Sequence, residues 1–109
     1  MLRSEFHADL QKLQDDLLNL GSMVEKATTK AIDALKTRDL PLSRQVIEED
    51  DVIDDIRYEI EARCEDLIAK QQPLATDLRL IIAIMHIVGE LERIGDYAEG
   101  VAKISLAMG

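Results

Sequence analysis

The stretch FHADLQKLQDDLLNLGSMVEKATTKAIDALKT, residues 6–37, brings an apolar residue round at alternating steps of four and three: Phe6, Leu10, Leu13, Leu17, Leu20, Val24, Ala27, Ala31 and Ala34. Such steps fall on one face of an α-helix, and a seam sustained this long has to be covered by other helices. Lys36-Thr37-Arg38 is a basic end suited to a helix C-terminus, and Asp39 can cap the next helix with Pro41 in its first turn. The first helix is therefore expected over about residues 3–37. A second is expected over 40–70, with a seam of Leu42, Val46, Glu49, Ile53, Ile56, Ile60 and Leu67, completed by Arg63 or Cys64. Glu49 is the misfit there.

The second run stops before Gln71-Gln72-Pro73, and a third begins near Leu74 and extends to about residue 107. Its seam reads Leu80, Ile84, Ile87, Leu91, Ile94, Ala98 and Val101. One step round the helix lies another row, Leu78, Ile81, Met85, Val88, Glu92, Asp96 and Glu99, apolar near the turn and acidic beyond it. Both links are short, so the expected architecture is all-α, an up-down-up antiparallel three-helix bundle forming one domain over residues 1–109.

Composition agrees. Aromatic residues make up 3% of the chain, tryptophan is absent, and the sequence is dominated by helix-favouring residues. A net charge of -9 opposes binding to nucleic acid or anionic lipid, both of which are recognised by clustered Lys and Arg. The lone Cys64 excludes an intrachain disulfide and is most simply a small core residue. No signal peptide is evident at Met1-Leu2-Arg3-Ser4-Glu5, and the most apolar stretch, Leu78 to Leu91, is broken by Arg79, His86 and Glu90. A soluble, cytoplasmic location is expected.

The charged residues are unevenly placed. From Glu48 to Asp55 six of eight residues are acidic, and Asp50/Asp54 and Glu92/Asp96 are i,i+4 pairs at matching distances either side of Pro73. At 1.5 Å per residue, Asp54 and Glu92 stand about 28 Å from that turn and Asp50 and Asp96 about 34 Å, so all four reach one layer. Glu25 of the first helix reaches nearly the same height, and Glu49 adjoins it. A solvated acidic face is the plain reading of such a run. The sharper one is a cation site, because Asp50, Asp54, Glu92 and Asp96 continue rows that are apolar elsewhere. Unit charges 4 Å apart repel by roughly 4 kcal/mol at an effective dielectric near 20, a penalty that a bound ion reverses. The candidate metal ligands are Asp50, Asp54, Glu92, Asp96, Glu49 and Glu25. Oxygen donors suit magnesium, calcium, manganese or iron, with zinc also compatible. Gly95 within the motif is explained by close approach of another helix or a ligand shell.

Enzymatic motifs are missing. Ferritin-type di-iron sites need Glu-x-x-His pairs, which this chain lacks, and His86 reads as a partly exposed surface residue beside Glu90. There is no Gly-rich phosphate loop, no Ser-His-Asp arrangement and no evident basic pocket for free phosphate.

Four segments, Gly21 to Glu25, Arg44 to Asp50, Ala69 to Arg79 and Glu90 to Asp96, resemble the PhoU family of phosphate-uptake regulators. The Gln72-Pro73-x-Ala75-x-Asp77-Leu78-Arg79 and Glu92-Arg93-Ile94-Gly95-Asp96 patterns together are specific. The family pattern of an acidic residue, three residues and an Asp falls on Asp50/Asp54 and Glu92/Asp96, and in relatives it is associated with iron and zinc among other ions. The resemblance implies a cytoplasmic, non-enzymatic negative regulator. Its implied partners are the phosphate ABC transporter and the phosphate sensor histidine kinase, through which alone it would approach the membrane. It also implies a departure: typical members hold two such repeats, so a single repeat is expected to be part of a longer protein or to form a homodimer. The competing reading is a structural or accessory PhoU-like helical module of a transporter or channel, with no metal-dependent role.

Overall fold

Asp39 starts the second helix as its sequence position suggests: its carboxylate Oδ1 accepts a hydrogen bond from the Leu42 N–H at 3.1 Å. Just before it Arg38 takes a left-handed φ of 58°, which reverses the chain within two residues. The computed structural model describes residues 3–109 as three helices: α1 (Arg3–Thr37), α2 (Leu40–Gln71) and α3 (Ala75–Met108). The last turn of α2 is closed by Gln72, also left-handed at φ 46°, whose N–H donates to the Ile68 carbonyl at 3.1 Å. Leu74 provides α3 with no side-chain cap, and Ala75 begins that helix at φ 50°.

Cross-helix contacts fix direction and register. Between α1 and α2, Asp16 meets Arg63 and Lys30 meets Glu49, and the partners' numbers add to 79 in both pairs, the mark of an antiparallel register. Between α2 and α3, Arg57 meets Glu92 and Asp50 faces Gly95, again with nearly constant sums. Contacts between α1 and α3 instead keep a difference of 70: His7 with Asp77, Gly21 with Leu91, Arg38 with Met108. Those two helices are parallel. The result is the up-down-up bundle, 55 × 17 × 16 Å, its length set by helices of about 50 Å at 1.5 Å per residue.

The α1 seam is buried at every position from Phe6 to Ala34. Leu13, Leu20, Ile60, Ile81 and Ile84 fill the core at fully buried positions, each contributing on the order of 2 kcal/mol through burial. Towards the α1–α2 link the helices meet over smaller side chains, Ala27, Ala31, Ala34, Ser43, Ala98, Ala102 and Ser105.

Two seams differ from expectation. In α3 the inward line is Ile81, Ile84, Val88, Gly95, Ala98, Ala102 and Ser105, whereas Ile87 and Ile94 are 46% and 43% exposed. The helix packs against two neighbours at once, so its centre line falls between the two rows in the sequence. The expected seam, including Leu80, Leu91 and Val101, turns partly towards the α1 edge, and the mixed row turns towards α2. In α2 a similar rotation buries Asp50 and leaves Glu49 partly exposed, beside α1.

Candidate functional site

That rotation of α3 builds an acidic layer along the α2/α3 groove. Asp50, only 7% exposed, lies against Gly95, where an added Cβ would stand 3.7 Å from the Asp50 Oδ1. The side chains acting on it most strongly are carboxylates. Burial, a hydrogen bond shared with Glu99 and the charges of Glu99, Asp54 and Asp96 push the Asp50 carboxyl up to about 7, from an ordinary 3.8. Burial also raises Asp54, with the Arg57 charge pulling it back and Asp96, Glu92 and Glu99 pushing it further up. Five carboxylates on two helices thus form one electrostatic group.

Arg57 closes one end of this layer. Its guanidinium pairs with Glu92 across the groove, with Glu61 on its own helix at 3.2 Å, and through Nε with Asp54 at 3.7 Å. It also lies 4.0 Å over the Tyr58 ring. The side chain is 12% exposed and its buried Nε–H has no hydrogen-bond acceptor, because 3.7 Å is too long for one. Burial opposes the charge, but Tyr58, Glu92 and Glu61 outweigh it and hold the guanidinium protonated more firmly than usual. At the other end the exposed Lys103 reaches Glu99 at 3.2 Å.

The six residues read from sequence as ligands divide. Asp50, Asp54, Glu92 and Asp96 share the α2/α3 layer, with Asp96 at its exposed rim. Glu49 is held elsewhere, by Gln45 at 2.7 Å and Lys30 of α1 at 3.1 Å, and these partners keep its carboxyl below the usual range. Glu25 is level with Gly95 but points to solvent from α1. As the side chains stand, no three His, Cys, Asp or Glu among the described residues converge as a cage for an ion.

Glu99 and Arg57 were not among the expected site residues. Glu99 follows Glu92 and Asp96 at helical steps of four and three, so its spacing could have included it. Arg57 shares one α2 face with Asp50, Asp54 and Glu61, but its reach to Glu92 depends on the rotation of α3. Elsewhere, Leu13 and Leu67 floor a cleft of about 460 Å³ between α1 and α2, rimmed by Lys12, Arg63 and Lys70. Those cations are paired with Asp16 and Asp66, so the cleft is no free basic pocket.

Comparison with known proteins matches residues 17–105 to the PhoU domain family. The chain is 44% identical over 104 residues to a phosphate-specific transport system accessory protein PhoU homolog of Clostridium acetobutylicum, covering 94% of this chain and 48% of that one. Its fold is similar to the crystal structure of PhoU from Pseudomonas aeruginosa, with a TM-score of 0.91 at 42% identity over 94% of this chain and 49% of that one. The phosphate transport system regulatory protein PhoU of Streptococcus pneumoniae superposes at 0.86 with 36% identity, over 93% and 48% of the two chains. The chain thus spans about half the length of the relatives it matches.

Proposed function

The chain belongs to the PhoU family, and from that premise we propose that it is a non-enzymatic regulator that restrains phosphate uptake and phosphate-regulon signalling when phosphate is plentiful. The observation that carries this reading is the family match, which runs across all three helices and includes both acidic motifs. Its partners in this reading are the phosphate ABC transporter and the phosphate sensor histidine kinase. It works from the cytoplasm and meets the membrane through them; no helix among the described residues is long and apolar enough to cross a bilayer.

The acidic layer serves this role by holding a hard cation, with Asp50, Asp54, Glu92, Asp96 and Glu99 as the donor set. The chemistry of the set supports the reading: all donors are carboxylates, Asp50 is buried among like charges, and Gly95 adds no side chain over its Oδ1. Magnesium, calcium, manganese, iron or zinc would supply the positive charge that binds α2 to α3 there. A homodimer through the α1/α3 edge completes the proposal, supported by exposed Leu18, Ile87 and Ile94 along that edge.

Deleting the gene tests the regulatory role. Uptake of labelled phosphate in phosphate-rich medium is expected to rise; unchanged uptake would favour a structural accessory module of a transporter or channel. One observation supports that second reading: Arg57 already neutralises part of the layer without any ion.

A further inference from the structure

Along the α1/α3 face two rows of apolar side chains have no helix over them. On α1, Asp16 and Lys30 stand one residue before the buried Leu17 and Ala31 and reach α2; Leu18 and Ile32, one residue after, lie on the flank away from it. On α3, Glu92 turns to Arg57 of α2, whereas Ile87, Ile94, Tyr97 and Ile104 lie on the opposite flank, each one residue before a buried position. All six remain exposed. Gly21 meets Leu91, so an α1 residue stands level with the α3 residue seventy further on. Leu18 is therefore level with Ile87, and Ile32 with Ile104, to within two residues. Between these apolar pairs Glu25 of α1 and Arg93 of α3 are exposed, about 3 Å apart along the axis at 1.5 Å per residue. Neither has an ion-pair partner among the described residues.

Identical faces close on each other about a two-fold axis, which runs either across the helices or along them. An axis across the helices lays α1 on α1. Matching Leu18 to Ile32 of the second copy then sets Glu25 against Glu25, because it lies midway between them. An axis along the helices lays α1 on α3 instead. Leu18 then meets Ile87 of the second copy, Ile32 meets Ile104, and Glu25 comes level with Arg93. This arrangement covers the same apolar residues without opposing like charges, and it gives both unpaired charges a partner. The other acid of the face, Glu90, falls level with residues 18–22, which carry no charge.

We infer that the α1/α3 face takes a second copy of the chain about a two-fold axis parallel to the helices, with Glu25 of each copy paired to Arg93 of the other. The inference rests on the reading of this edge as a dimer surface. The apolar rows supply the affinity, and the two symmetry-related ion pairs select the arrangement.

Sedimentation equilibrium of the 109-residue chain, Glu25→Arg, Arg93→Glu and the double reversal tests this. Wild type is expected to dimerise at micromolar concentration. Each single reversal should raise the dimer Kd about tenfold, because symmetry turns one change into two repulsive contacts, and the double reversal should return it to within about threefold of wild type. Single reversals without effect, or a double reversal that stays weak, would overturn the arrangement and leave the dimer standing. Wild type that remains monomeric throughout the micromolar range would overturn both. Cross-linking fixes the axis independently, since the native Cys64 is buried. In an equimolar mixture of Glu25→Cys and Arg93→Cys, a short bis-maleimide is expected to join one variant to the other. Predominant linking of Glu25→Cys to itself would lay α1 on α1 and contradict the pairing.

Discussion

Asp50 occupies a place in α2 where the packing calls for an apolar side chain, and its cost is electrostatic. Its carboxyl is raised in the folded chain to about 7 from 3.8, so folding favours its protonated form. That contribution is fully present below the unfolded pKa, near 4, and is lost as pH rises through about 7. Asp16 and Glu49 act with opposite sign. They are held below their usual range, by Arg63 and by Gln45 and Lys30, and so give stability that disappears on acidification. Ion-free protein is therefore expected to lose on the order of a few kcal/mol between pH 5 and 8, and Asp50→Asn to flatten that slope. Urea denaturation in a chelating buffer at several pH values measures both. Ser43 and Ser105 bear a different burden, each with a fully buried hydroxyl that has no hydrogen-bond partner. Replacing either with Ala should stabilise the fold by about 1 kcal/mol, read from the shift in urea midpoint, since the change removes an unsatisfied group and improves helix propensity.

The elements were legible to different degrees, for a physical reason. In α1 one apolar row runs unbroken and its flanks are mostly polar, Leu18, Ile32 and Leu35 apart, so that row turns inward, and the structure buries every residue of it from Phe6 to Ala34. The α1–α2 boundary was legible because Asp39 and Pro41 have local effects that depend on no neighbour. Asp39→Ala should accordingly cost about 1 kcal/mol, which thermal denaturation would detect. In α3 two adjacent rows are both apolar near the turn, and only contact with α1 and α2 together decides how far the helix rolls. The acidic row was readable in sequence, but Arg57 as its counter-charge was not, because that contact exists only once α3 has rolled towards α2. Gly89 lies on the outer surface of the same helix, with nothing within 4 Å of an added Cβ. Gly89→Ala should therefore stabilise α3 by about 1 kcal/mol in chemical denaturation, through propensity alone.

At the scale of the whole molecule the roll of α3 sorts two surfaces: an acidic groove beside α2 and an apolar edge beside α1, with Ile87 and Ile94 partly uncovered. The second surface makes self-association testable. Ile94→Asp should convert a dimer to monomer in light scattering at micromolar concentration while helical content stays constant. The first surface carries the central claim, that an acidic layer between two helices is the working part of a phosphate regulator. The direct measurement is uptake of labelled phosphate in phosphate-rich medium by a strain lacking the gene, complemented with the native gene or with one encoding Asp50→Asn/Asp96→Asn. Native protein is expected to restore restraint of uptake, and the variant, present at equal level and equally helical, to leave uptake high. Equal restraint by both would contradict the account.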